Sequence, residues 1–202
     1  MPRSRTLSDD AVLQRAIDVF WKSGYAGTSL RALTQATGIG ASALYHRFGD
    51  KDGLFVEALR RYADDGLSTR LARLSAQPEP LVAIGAFLDE LIALSLADPQ
   101  QRGCLLVNTA LDGATMSRAA RDIVRTRLGE VERFFAQCLQ RAVDRGAIAR
   151  DTDVAAHATA LLGVVFAIRV MARLDPDATR MHALARHALS TLPPTSTEPA
   201  HV

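Results

Sequence analysis

The stretch LRALTQATGIGASALYHRF, residues 30–48, decides how the chain is read. Leu30, Leu33 and Ala36 recur at helical spacing, and Gly38 supplies a turn residue that can take a positive φ. Residues 41–46 then form a second short helix with Leu44 pointing inward. Two short helices joined by such a turn make a helix-turn-helix, whose second helix enters the major groove with its N-terminal residues against base edges. Gly40, Ala41, Ser42 and Ala43 stand where bases would be approached, and Tyr45, His46 and Arg47 where phosphates would be met.

Working outward, Ser8 caps a helix with Asp9 and Asp10 in its first turn. Leu13, Ala16, Ile17, Phe20 and Trp21 form its apolar stripe, and Gly24 ends it. Thr28 or Ser29 caps the next helix, and Gly49-Asp50 precedes a long one beginning at Lys51. Pro78 and Pro80 mark a break before a helix through Leu96, which Asp98-Pro99 ends. A short helix is expected over 103–111, an amphipathic one from Ser117 to Gly146, a broadly apolar one over 151–173, and a last one over 178–189. No strand pattern or internal repeat is visible. The fold class is therefore all-α, with about nine helices.

Composition agrees with helices packed on helices: 48% of the 202 residues are apolar and only 5% aromatic. The formal net charge is just +2, but nine Lys and Arg face six acidic residues through Tyr62, so the basic excess is N-terminal. The N-terminus carries no apolar core of a signal peptide. The longest apolar run, 158–170, contains Thr159 and Arg169 and reads as too short to span a bilayer. Two cysteines, Cys104 and Cys138, are too few for a disulfide framework. A cytoplasmic protein with free thiols and no membrane partner is expected.

Five ordered pieces carry a specific resemblance: residues 16–20 (AIDVF), 24–30 (GYAGTSL), 36–39 (ATGI), 44–48 (LYHRF) and 50–54 (DKDGL). Together they resemble the N-terminal domain of TetR-family transcriptional regulators. The resemblance implies a three-helix DNA head over 1–50 and an effector-binding and dimerisation body over 51–192, and the Pro/Thr/Ser-rich composition of 193–202 reads as a disordered tail. Tyr45, His46 and Lys51 match family positions that contact the DNA backbone. Thr28 and Ser29 at a helix start offer hydroxyls and amides to a phosphate. Where the family often has Lys and Thr, this chain has Ala41 and Ala43, which supply no bidentate hydrogen bond. Base readout then leans on Ser42, Arg31, Arg47 and DNA shape. The resemblance further implies a homodimer through 154–189, a palindromic double-stranded operator and a small-molecule effector that releases it.

The segment RGCLLVNTAL, residues 102–111, resembles the Gly-Cys segment of a TetR branch that includes electrophile- and aldehyde-responsive regulators. A Cys104 in the first helical turn, near Arg102, has the surroundings that lower a thiol pKa, with Asn108 one turn on; neighbouring Leu105, Leu106 and Val107 argue equally for an inert buried thiol. Cys138 reads as core. Tyr62, Phe87, Leu91, Phe134, Phe135, Phe166 and Arg169 complete the candidate effector pocket. Arg169 either meets an anionic ligand, pairs with Asp89 or Glu90, or reaches solvent at a dimer edge. His182 and His187 are five apart and cannot chelate as an i, i+4 pair, so no metal or cofactor is expected. A DNA-bound architectural protein and a thiol enzyme using Cys104 are the rival classes. No nucleophile elbow, phosphate loop or dinucleotide fingerprint supports an enzyme.

Overall fold

The computed structural model describes residues 7–113 and 116–194, and among them every regular element is a helix. In chain order these are α1 Asp9–Gly27, α2 Leu30–Thr37, α3 Ala41–Phe48, α4 Lys51–Asp64, α5 Leu67–Ser75, α6 Pro80–Leu96, α7 Leu105–Leu111, α8 Arg118–Asp144, α9 Val154–Leu174 and α10 Ala178–Ser190. The all-α expectation holds. The helix from Lys51 is shorter than expected because Gly66, at φ 82°, breaks the chain and starts α5.

Caps explain the boundaries. The side chains of Ser8, Ser29, Asp50, Asp153 and Asp177 each accept an amide hydrogen bond from the first turn of α1, α2, α4, α9 and α10. Each such cap is worth about 1 kcal/mol. Ser29, rather than Thr28, caps α2. Gly24 sits at φ 68°, ψ 173° and kinks the end of α1.

The chain divides into two compact units, residues 1–67 with 104–127, and residues 68–103 with 128–202. In the first, α1 packs on α4, α2 and α7, and α3 packs on α4 and α2. Its core holds Val12, Ile17, Phe20, Leu33, Leu44, Leu54, Phe55 and Leu59. Phe55 meets both Phe20 and Tyr25, at ring separations of 4.8 and 4.9 Å. In the second, α6 packs on α9 and α10 around Ile84, Phe87, Leu88, Phe135, Leu139, Leu161, Ile168 and Met181. There Arg141 ties α8 to the carbonyls of Ser75 and Gln77, at 2.9 and 2.7 Å.

One expectation is corrected. The apolar run read as too short for a bilayer belongs to the 21-residue α9, which is long and apolar enough to cross one by length and composition. Only 22% of its most apolar window is buried, and Leu174 is 83% exposed. Of the tail over 193–202, Pro193 accepts from the Ala149 amide at 3.1 Å, and residues 195–202 lie outside the described residues.

The junction of α3 and α4 is the tightest in the fold. A Cβ on Gly53 would lie 2.0 Å from the Phe48 carbonyl oxygen, backbone that no rotamer change can move. Gly129 in α8 has nothing within 4 Å of its virtual Cβ. Gly53→Ala is expected to cost about 1–3 kcal/mol by overpacking. Gly129→Ala should gain up to about 1 kcal/mol from helix propensity. Thermal denaturation of both variants checks the contrast, and a parental Tm for Gly53→Ala would refute the close approach.

Candidate functional site

The turn between α2 and α3 is built by two devices. Gly38 takes φ 73°, and its amide donates to Thr34 O at 3.0 Å, which closes α2. Arg15 of α1 caps the same end through its guanidinium, 3.3 Å from Thr37 O. The chain then enters α3 through Gly40, which has no side-chain cap bond and open space where a Cβ would stand. The amides of Ala41 and Ser42 therefore have no intrahelical acceptor, while that of Ala43 donates to Gly40 O at 3.0 Å, and the positive end of the helix dipole lies at this exposed start. Gly40, Ser42 and Ala43 are exposed there, and Ala41 is half-buried. One turn on, Tyr45 (42% exposed) and His46 face outward while Leu44 is buried. Ser29 and Arg31 are exposed at the start of α2, and Arg31 makes no ion pair among the described residues. These groups can offer hydroxyl, imidazole, guanidinium and backbone donors to a polyanion.

Three residues expected on that surface have internal tasks instead. Thr28 is 2% exposed; its hydroxyl donates to Gly24 O at 2.7 Å, and its amide donates to Tyr25 O at 3.3 Å. Its donors serve the kinked end of α1 rather than a phosphate. Arg47 donates to Leu7 O at 3.0 Å and pairs with Asp9 at 3.2 Å, pinning the entry to α1 onto the last turn of α3. The Lys51 ammonium donates to Thr28 O at 2.8 Å and lies 4.3 Å over the Tyr25 ring. Burial, then Asp52 and Asp50, push the Tyr25 phenol up, so the ring beneath that cation stays neutral. Arg15, Tyr25 and Gly53, which hold this geometry, were not singled out as functional from sequence. The Asp50-Lys51-Asp52-Gly53 run was the available signal for Gly53.

In the same unit, α7 packs on α1 and α4. Cys104 is the N-cap of α7 rather than part of its first turn, and its side chain makes no cap bond to the turn's amides. Its sulfur instead receives the Tyr62 hydroxyl at 3.6 Å, while the Leu105 amide donates to the Tyr62 oxygen at 3.4 Å. Trp21 meets the Tyr62 ring edge-on at 4.9 Å. Asn108 lies one turn beyond, its amide bonded to Cys104 O at 2.8 Å. Arg102, expected to add charge near the thiol, is bonded to Asp98 at 3.2 Å. Burial alone would raise the Asp98 pKa, but the hydrogen bonds from Arg102 outweigh it and hold the carboxyl below its usual range.

The remaining candidates lie in the second unit. Phe87, Phe134 and Phe135 are buried and packed on one another, with ring separations of 5.2–5.6 Å. Leu91 is buried and Phe166 half-buried. Arg169 meets neither Asp89, which pairs with His182 at 3.2 Å, nor Glu90, which pairs with Arg70 and Arg73. Its Nη1 donates to Ser95 Oγ at 2.9 Å. Among the described residues no group of three or more His, Cys, Asp or Glu is placed to hold a metal.

Residues 12–58 match the family model described as bacterial regulatory proteins, tetR family. Residues 80–188 match the model of the tetracyclin repressor-like C-terminal domain. A solved structure of the TetR family transcriptional regulator CifR, a cysteine mutant complexed with 26 bp double-strand operator DNA, aligns with a TM-score of 0.84. It is 38% identical and covers 95% of this chain and 100% of that one. The regulator YezE of Bacillus subtilis is 29% identical over 194 residues, 95% of this chain and 100% of YezE. The repressor ComR of Escherichia coli is 29% identical over 195 residues, 95% of this chain and 91% of ComR.

Two expected outcomes follow from the geometry. Lys51→Met should cost about 1–2 kcal/mol of stability for the lost charged hydrogen bond and ring contact, seen as a lower Tm, and should lower DNA affinity with it. Tyr45→Ala should lower DNA affinity with an unchanged Tm, and parallel effects of the two would refute the division. For the thiols, Cys138 is 1% exposed, and burial pushes it up to about 11 from 9.0. The stability this neutral thiol contributes is complete below pH 9 and lost as pH rises toward 11. Ellman titration of the folded protein at pH 8 should modify Cys104 first, with Cys138 reacting only on unfolding; the reverse order would contradict the assignment.

Proposed function

The chain belongs to the TetR family of bacterial regulatory proteins, a DNA-binding transcriptional regulator, and from that premise we propose that it is an effector-released homodimeric repressor of the cytoplasm. The carrying observation is the outward face of α3. Its first turn is uncapped, Gly40, Ser42 and Ala43 are exposed there, and Tyr45 and His46 are exposed beyond. In this reading residues 1–50 are the DNA-binding head and 51–192 the effector and dimerisation body. Ser29, Tyr45 and His46 hold phosphates, and Ser42 with the small residues around it and Arg31 of α2 read the bases. Because Ala41 and Ala43 offer only methyl groups, shape and thymine contacts carry much of the specificity.

The dimer is proposed through α9 and α10. Most of the apolar window of α9 is unburied within one chain, and burying it against a second copy removes that surface from water. A two-fold dimer then reads a palindrome whose half-sites are about one helical turn apart, ~34–36 Å. Release is a population shift, in which an effector binds a body conformation that separates the heads. Packing of α7 on α1 and α4 supports a direct route, since a change at Cys104 is felt by both helices of the head's own unit. With an aldehyde, the Cys104 sulfur would bond to the carbonyl carbon as the C=O π bond opens, and the thiol proton would pass to the carbonyl oxygen. The Tyr62 hydroxyl would then lose its sulfur acceptor, and α7 would have to make room for the adduct.

Operator selection with purified protein should return a palindromic consensus. Ser42→Ala should change the preferred bases, and Tyr45→Ala should weaken all sites alike. Recovery of no consensus would refute sequence-specific regulation. An electrophile such as methylglyoxal should release the parent but not Cys104→Ser; equal release would remove Cys104 from the switch, and no release by any effector would leave an architectural DNA-bound protein.

A further inference from the structure

We propose that Arg169 and Ser95 form the recognition point for a small organic carboxylate with an apolar body, an assignment that deepens the effector-released reading and rests on it. Arg169 is the one Lys, Arg, Asp or Glu of α9 before Arg173. Its chain neighbour Ile168 is fully buried, and Ala172, one turn on, is 1% exposed. Arg169 is half-buried, and its guanidinium reaches α6, where Nη1 donates to Ser95 Oγ at 2.9 Å. Ser95 is itself buried, and its hydroxyl donates onward to Leu91 O at 2.8 Å. The Nε atom is buried and has no acceptor among the described residues.

The acids of α6 are committed elsewhere in the same unit, Asp89 to His182 and Glu90 to Arg70 and Arg73. Asp98, just beyond the helix, is held by Arg102. Among the described residues this half-buried cation thus has one neutral side-chain partner and no ion pair. Arginine cannot escape this by losing its proton. For stability alone, a packed methionine or leucine would serve better at 169.

The unused edge identifies the ligand. With Nη1 on Ser95, the side left over is Nε with Nη2, two parallel donors that match the two oxygens of a carboxylate. Half-buried Phe166, one turn before Arg169, and buried Leu91, one turn before Ser95, give such a ligand's body apolar company. A neutral amide of the same shape offers one acceptor oxygen and would leave the charge uncompensated.

The test uses the full-length protein with octanoate and benzoate as probes, and octanamide and benzamide as neutral controls. Saturating carboxylate should raise Tm by about 5 °C or more, and the amides should not. Arg169→Lys keeps the charge but loses the two-donor edge, and should weaken carboxylate binding at least tenfold by calorimetry. Arg169→Met should abolish binding while holding or raising the ligand-free Tm. No Tm shift with either carboxylate, or equal binding to Arg169→Met, overturns the proposal. So does a lower ligand-free Tm for Arg169→Met, which would mark a structural donor, or its dissociation to monomers, which would mark a counter-charge from a second copy. Operator anisotropy separates this inference from the regulatory reading. Carboxylate binding without release supports the site and overturns the effector role. Carboxylate-driven release that persists in Arg169→Met overturns the site and leaves the effector role standing.

Discussion

The hydrogen bond from the Lys51 ammonium to the Thr28 carbonyl is the contact on which the DNA-facing end depends. It joins the first residue of α4 to the segment between α1 and α2, across the face of Tyr25. Asp50 caps the same turn of α4, and Gly53 lets the Phe48 carbonyl approach closer than any side chain would permit. Asp50, Lys51 and Gly53 therefore set where α3 leaves off and how α4 begins. Arg47 adds a further tie, between the end of α3 and the entry to α1. Arg47 and Lys51, basic residues beside α3, are thus engaged in contacts within the protein.

That division shows what could be read from the chain and what could not. The two short helices around Gly38 were legible because apolar spacing and a turn glycine are local signals, and the structure follows them closely. The partners of Arg47 and Lys51 were not legible, because they lie 40 and 23 residues away in sequence and pattern gives no distance between them. Thr28 shows the same limit at short range. Its hydroxyl was free to face a phosphate or to close the kink after Gly24, and only the φ of 68° at Gly24 selects the second. In the body, Cys104 was placed one residue too far into its helix, which exchanged helix amides for the Tyr62 hydroxyl as the sulfur's partner.

Burial separates the remaining candidates more sharply than residue type does. Phe87 and Phe135 are closed within their own packing, so their aromatic spacing reflects a core. Arg169 is the opposite case, a half-buried cation with a buried Nε left unbonded and, among the described residues, a hydroxyl as its one side-chain partner. Natural sequences keep such local conflicts mainly where function requires them. The apolar stretch of α9, of whose most apolar window only 22% is buried, is a second conflict.

Hydroxyl-radical footprinting of the purified protein on its selected operator tests the central claim most directly. The account predicts two protected patches, related by two-fold symmetry and lying on one face of the duplex about one helical turn apart. It also predicts that they vanish together when the effector is added. Uniform protection along any sequence, or a single unpaired patch, would contradict a dimer reading DNA through α3.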